Sequence, residues 1–99
     1  MKRNNKDTWL MTYEEFAARY KATRSPKYYN DIHNRRVQCG CDYYVYVDED
    51  LNVINPYLEK NRAKKVLFTA FSSCSRDDAL KKAHQFIIEY ATKEGLYDI

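Results

Sequence analysis

The fold is decided by residues 64–95, KKVLFTAFSSCSRDDALKKAHQFIIEYATKEG, in which a short apolar run leads into a long amphipathic segment. Val66 to Phe71 is rich in the β-branched and aromatic residues that favour a buried strand. After a polar turn, apolar side chains recur at helical spacing, with Ser75 as a suitable N-cap and Gly95 as a suitable terminating residue. We therefore predict a strand followed by a helix over residues 75–94.

Two further strands are predicted upstream, within residues 37–71. Tyrosine and valine alternate from Tyr43 to Val47, which is typical of a strand with two different faces. The acidic residues 48–50 are suited to a turn, and Leu51 to Ile54 provides a short second strand that ends before Pro56. Together with the strand of the opening stretch, the expected sheet has three antiparallel strands.

A helix is predicted at the amino-terminal end, over residues 12–22. Thr12 and Glu15 have the spacing of a capping box, in which each side chain bonds to the other residue's backbone N–H. Residues 1–7 resemble a flexible basic tail, and residues 27–36 have no clear periodicity. The prediction is therefore one α+β domain of order α-β-β-β-α, with the long carboxy-terminal helix packed on the sheet.

The composition points to one globular domain and away from membrane or secreted proteins. The chain has 99 residues, and no apolar run approaches the roughly 20 residues that span a bilayer. Its basic start is not followed by the apolar region of a secretory signal. Cysteines number three, and Cys39 and Cys41 are too close to pair readily. We therefore expect reduced thiols and a cytoplasmic location.

Sequence features that could support catalysis or metal binding are weak. Cys39 and Cys41, with Cys74, His33 or His84, could supply zinc ligands, but a single Cys-x-Cys falls short of the usual Cys-x2-Cys knuckles. A free cysteine is also a common small core residue. No serine lies in a nucleophile-elbow context. The prediction is a non-enzymatic protein with no cofactor, no metal and no small-molecule substrate.

Charge is segregated along the chain, although the formal net charge is only +3. The first forty residues contain nine Lys and Arg against four Asp and Glu, and residues 42–59 contain five acids and no base. A second basic cluster precedes the last strand. The residues predicted to contact a phosphate backbone are Arg35, Arg36, Lys60, Arg62, Lys64 and Lys65.

Residues 41–90 resemble the arm-binding amino-terminal domain of phage-type integrases and the related APETALA-type DNA-binding domain of plants. In that family a phenylalanine ends the third strand, a short polar turn follows, and the next helix has alanines spaced four apart; Phe71, Ala79 and Ala83 match. The resemblance covers about half of the chain. It implies a three-stranded sheet laid in the major groove of duplex DNA, a helix packed behind it, and an origin in a phage or mobile element.

A second hypothesis follows from strand positions that are apolar where the integrase-type family has arginine and lysine. Ten tyrosines are present, and a tyrosine-rich sheet face must be covered either by the first helix or by another protein. The alternative function is a phage-type inhibitor or adaptor that binds a nucleic-acid enzyme or defence protein, with the acids of residues 42–59 meeting a basic partner. Its predicted anchors are Tyr28, Tyr29, Tyr44 and Tyr46.

Overall fold

The computed structural model describes residues 7–73 and 75–98, and the predicted α+β class is confirmed. The amino-terminal helix is followed by four strands and the long carboxy-terminal helix. The elements are α1 (Tyr13–Arg19), β1 (Thr23–Asn30), β2 (Arg36–Asp48), β3 (Val53–Ile54), β4 (Val66–Ser72) and α2 (Arg76–Lys93), with short 3-10 turns at Thr8–Leu10, Glu59–Asn61 and Leu96–Asp98. Most of the predicted basic tail, residues 1–6, lies outside the described residues, as does Cys74.

Strand β2 is the centre of an antiparallel sheet with four strands rather than the expected three. Along one edge, β2 pairs first with β1 and then with β3, so these two strands lie end to end. Along its other edge β2 pairs with β4, with Val45 opposite Ala70. The second edge of β4 has no partner strand among the described residues.

The additional strand is β1, which lies in the region that the sequence left largely unassigned. Helix α1 ends at Arg19, before the predicted end at residue 22, and Tyr20 is already extended. Strand β1 contains Pro26 and is mostly polar, and both properties obscure a strand pattern. Proline is tolerated here because β1 is an edge strand, whose outward groups need no partner.

The core lies between the sheet and α2. Val45, Val47 and Ala70 point to the helix side of the sheet and are almost fully buried there, together with Ala83 and Ile87 of α2. Small helix residues let α2 approach the sheet closely, as expected for its alanine-rich face. We call the α2 side of the sheet the inner face and the opposite side the outer face.

Helix α1 also lies on the inner side, because it packs against α2. The predicted capping box is present: Glu15 N–H donates to the Thr12 hydroxyl at 3.1 Å, and Thr12 N–H donates to the Glu15 carboxylate at 2.9 Å. Phe16 is fully buried, with its ring 5.2 Å from that of His84. A ring nitrogen of His84 lies 2.9 Å from the carbonyl oxygen of Met11, which ties the start of α1 to α2.

Residues 24–42 form a two-stranded ribbon, here called the arm, that projects from this body. Strand β4 pairs with β2 only from residue 43 onward, so the arm is held by β1–β2 pairing. The molecule consequently measures 60 × 27 × 26 Å and has a radius of gyration of 16.3 Å. A compact chain of this length has a radius of gyration of about 13 Å.

The same type of turn closes both ends of β2. At the arm tip, Asp31 accepts backbone N–H bonds of 2.9 Å from His33 and Arg35, and Asn34 is left-handed with φ 66°. At the other end, Asp48 accepts equivalent bonds of 3.0 and 2.9 Å from residues 50 and 52, and Leu51 is left-handed with φ 64°. The predicted turn at residues 48–50 is present, and it is built like the tip turn.

Candidate functional site

Four aromatic side chains form a continuous cluster on the outer face, which we call the outer aromatic cluster. The rings of Tyr44 and Tyr46 lie nearly parallel, with centroids 5.9 Å apart. Phe71 lies 5.3 Å from Tyr44, and Tyr57 meets Tyr46 edge-on at 6.1 Å. These separations are typical of favourable aromatic pairs. The cluster therefore joins β2, β4 and the loop after β3 into one surface.

Strand alternation places three of these rings on the outer face. Because Val45 and Ala70 face α2, their neighbours Tyr44, Tyr46 and Phe71 must face the opposite way. Tyr57 comes instead from a loop whose conformation is fixed by Asn55. The Asn55 side chain accepts the Tyr57 N–H at 3.0 Å, which holds the ring over the edge of β2.

The cluster has an internal polar contact between two hydroxyl groups. The Tyr46 and Tyr57 hydroxyl oxygens are 3.4 Å apart. Partial burial, and then the hydrogen bond with Tyr57, raise the pKa of Tyr46 from the usual 10.0 to about 12. The Tyr46 hydroxyl is therefore neutral at physiological pH, and it keeps its hydrogen-bonding capacity at the centre of the cluster.

No described element covers the outer aromatic cluster. Helix α1, which could have covered this face, packs on α2 instead. Tyr57 is 78% exposed and Phe71 is 43% exposed, so the cluster presents contiguous aromatic surface to solvent. A groove runs from Tyr57 to the start of β1, where Arg24 forms part of its wall. The surface thus combines an apolar centre with a polar rim.

The four predicted protein-binding tyrosines divide into two locations. Tyr44 and Tyr46 lie together in the outer aromatic cluster, whereas Tyr28 and Tyr29 lie near the tip of the arm. Phe71 and Tyr57 were missed as site residues. The alternation of side chains along β4 could have identified Phe71, because it directly follows the core residue Ala70 and therefore faces the outer side. No local signal identifies Tyr57, which reaches the cluster only through loop geometry.

The six predicted phosphate-contacting residues also divide into two groups, which the structure does not bring together. Arg35 and Arg36 are at the arm tip, where the Arg36 guanidinium lies 4.1 Å from the Tyr28 ring centroid. The others lie in the connection before β4, at the opposite end of β2; they are Lys60, Arg62, Lys64 and Lys65. Thirteen residues of strand at about 3.3 Å each separate the groups by roughly 40 Å.

Several of these cations lie beside carboxylates. Arg35 pairs with Asp31 at 2.8 Å, Arg62 pairs with Glu59 at 3.2 Å, and Lys64 lies 3.9 Å from Asp48. The acidic stretch is partly paired in the same way, since Asp42 lies 3.4 Å from Lys27. Local pairing reduces both the positive potential expected for DNA and the negative potential expected for a basic partner.

Cys39 and Cys41 lie in the arm at an irregularity of the β1–β2 pairing. Lys27 pairs with Gly40 and the next residue pairs with Gln38, so Cys39 is the extra residue of a β-bulge. Gly40 has φ 153°, a conformation that side-chain-bearing residues rarely adopt. Within residues 7–73 and 75–98, no three Cys, His, Asp or Glu side chains are gathered as metal ligands.

The helices described here are all too short or too polar to cross a bilayer. Comparison of the chain with protein-family models, curated proteins and solved structures gives no match. The resemblance to the integrase arm-binding domain stays a prediction, so the function has to be inferred from the geometry of the outer face and the arm.

Proposed function

We propose that the chain is a non-catalytic protein-binding module that docks its partner on the outer aromatic cluster. The observation that carries the proposal is the contiguous, uncharged group of Tyr44, Tyr46, Tyr57 and Phe71 on a sheet face that no described element covers. Tyrosine is enriched at the energetic centres of protein interfaces, because its ring gives apolar area and its hydroxyl gives a hydrogen bond.

The chemistry of this face indicates a partner surface that is apolar at its centre. A strongly basic partner is less favoured than the sequence suggested, because Asp42, Asp48 and Glu59 all lie beside cations of the same chain. Polar groups at the rim of the cluster, such as Arg24, would set the orientation of the partner rather than most of the affinity. A nucleic-acid enzyme or defence protein stays among the partner classes that fit.

The test is affinity capture from the source cells, followed by direct binding measurements with the captured protein. Tyr57→Ala is the most useful variant, because this ring projects from a loop and is 78% exposed, so its removal leaves the core intact. Tyr44→Ala with Tyr46→Ala removes the centre of the cluster. Loss of a central interface tyrosine costs about 2 kcal/mol or more, which weakens binding roughly 30-fold.

A matched control comes from tyrosines that lie outside the cluster. Tyr28→Ala and Tyr29→Ala change two exposed rings of the arm and should leave capture unchanged. Equal capture by the wild type and by the Tyr44, Tyr46 double variant, with both proteins folded, would show that the outer aromatic cluster is not the docking face.

A second candidate function, duplex DNA binding, is favoured by the shape of the arm. The major groove of B-DNA is about 12 Å wide and admits a two-stranded β-ribbon. The arm is such a ribbon, and it carries Arg24 and Arg36 outside the ion pairs described above. This route differs from the integrase-type expectation, in which the sheet itself lies in the groove.

DNA binding is tested by titration of a labelled duplex at several salt concentrations. Arg35→Ala with Arg36→Ala should weaken binding and flatten its salt dependence by roughly one unit of slope for each phosphate group that the variant no longer neutralises. Lys64→Ala with Lys65→Ala is the matched pair at the far end of β2. Absence of duplex binding at low salt would eliminate this candidate and leave the protein-binding proposal untouched.

A further inference from the structure

Strand β4 presents a free edge that is irregular at Leu67, the extra residue of a β-bulge opposite Val47 and Asp48. Its seven residues, Val66–Ser72, contain no charged residue and no proline. Exposed edges usually carry lysine, proline or a covering segment, because bare strand edges pair with other chains. Val66, Leu67 and Phe71 are also exposed apolar side chains at this edge. The edge is thus suited to pairing with another strand.

Backbone bonding shows which groups of β4 point outward. Asp48 N–H donates to the Asn52 carbonyl at 2.9 Å, on the β3 side of β2. Alternation along β2 therefore turns the backbone groups of Val45 and Val47 toward β4, where they face Ala70 and Phe68. Thr69 lies between Phe68 and Ala70, and Phe71 follows Ala70. The backbone N–H and C=O groups of Thr69 and Phe71 therefore point to the free edge.

The Phe71 carbonyl supports this assignment, because it accepts a 3.0 Å bond from the Lys82 ammonium group at the side of α2. Lys82 thus covers one end of the edge. Within residues 7–73 and 75–98, no side chain bonds to the outward N–H and C=O of Thr69. The middle of the edge is available to a second strand.

An apolar groove follows the same edge on the inner face. Phe68 stacks on Phe86 of α2 with ring centroids 4.1 Å apart, and both rings are only half-buried. Lys82, Gln85 and Glu89 form the outer wall of the groove. A strand added to β4 would therefore bring a second apolar surface against Phe68 and Phe86.

We propose that this edge pairs with the same edge of a second copy of the chain, antiparallel and about a two-fold axis through Thr69. Thr69 of each copy then exchanges its outward N–H and C=O bonds with Thr69 of the partner subunit. The same register places Ala70 opposite Phe68 of the partner subunit, so a small side chain meets a large one. A strand that complements itself in this way suits a closed, two-fold dimer.

Charge along α2 is self-complementary about the same axis. Phe86 stacks on Phe68, the neighbour of Thr69, so the axis passes close to Phe86. Lys82 and Glu89 lie on either side of it along the helix, and antiparallel apposition places Lys82 opposite Glu89 of the partner subunit. Within its own helix Lys82 also lies 3.2 Å from the Asp78 carboxylate, and Glu89 accepts a 2.7 Å bond from Gln85, so the contact between subunits adds to these local contacts. Paired strands lie about 4.8 Å apart, and α2 lies over β4 and β2 in each copy. The α2 helices of the two copies are therefore roughly 10–14 Å apart in the dimer. Their long side chains can meet at that distance.

The experiment is sedimentation equilibrium of the purified chain alone, over the micromolar to sub-millimolar range. The wild type should approach twice the monomer mass. Thr69→Lys places two like charges against each other at the axis and should raise the dissociation constant at least about tenfold. Ser25→Lys adds the same charge at an exposed position of β1 and should leave the dimer unchanged.

A charge-reversal pair tests the register. Glu89→Lys should weaken the dimer, and adding Lys82→Glu should restore it, because the opposite charges then meet again. Monomer mass at every concentration, or a dimer that Thr69→Lys leaves intact in a folded protein, would overturn the proposal. Tyr57→Ala should not affect self-association, which separates this result from that of the partner-binding experiment.

Discussion

Replacement of Asp48 by alanine should destabilise the body of the protein by about 2–4 kcal/mol. The Asp48 side chain is only 2% exposed, and its carboxylate accepts the N–H groups of Asp50 and Asn52 at 3.0 and 2.9 Å. Hydrogen bonds to charged groups contribute about 1.5–3 kcal/mol each. Because Asp50 and Asn52 are themselves exposed, water replaces part of both bonds, so the expected loss lies around the lower end of the summed range of about 3–6 kcal/mol.

The assay is urea unfolding followed by circular dichroism, in which a lower midpoint at unchanged slope reports reduced stability. Asp48→Asn keeps the acceptor oxygen but removes the charge, which strengthens both accepted bonds and lies 3.9 Å from Lys64, so it should lose only part of the stability that Asp48→Ala loses. Asp31→Ala removes the same bonds from the exposed arm tip and should not move the midpoint. A change below about 1 kcal/mol for Asp48→Ala would refute the reasoning, because buried acceptors should matter more than that.

Three further predictions concern single groups. The raised pKa of Tyr46 means that the folded protein disfavours its ionisation, so stability is full below pH 10.0, the usual tyrosine value, and falls as pH rises toward about 12. Burial also raises the pKa of Tyr13 and Tyr20, so absorbance titration should show several late-ionising tyrosines, of which Tyr57→Phe shifts the Tyr46 ionisation earlier. Ser75→Ala removes the bond from Asp78 N–H to the Ser75 hydroxyl and should lower the unfolding free energy by about 1 kcal/mol, whereas Ser75→Asp should not. Asn34→Val should increase hydrogen exchange in the arm, because a β-branched residue disfavours φ 66°, whereas Asn34→Gly should not.

Local signals predicted the elements that depend on local chemistry. The capping box of Thr12 and Glu15, the Ser75 cap and the terminating Gly95 are all used as the sequence indicated. Strand β1 was missed because its stability comes from pairing with β2, which its own polar residues and Pro26 do not reveal. The pairing partner of a strand lies elsewhere in the sequence. A strand in which apolar and polar residues do not alternate is therefore hard to recognise from its own residues.

The candidate site was predicted in part for the same reason. Tyr44 and Tyr46 are neighbours on one strand, so their shared face could be read from spacing alone. Tyr57 joins them through a loop held by Asn55, which no spacing rule predicts. The six basic residues were predicted as one phosphate-contacting set from their residue type alone, but the length of β2 places the two groups at opposite ends of that strand.

The arm tip has a practical consequence for engineering the chain. Ile32 is 94% exposed between two strands that bond mainly to each other, and the turn around it contributes nothing to the core. Breaking or lengthening the chain at this point would disturb neither the α2 packing nor the outer aromatic cluster. The tip is therefore the natural position for a reporter peptide or a new pair of termini, well away from both proposed protein-binding surfaces.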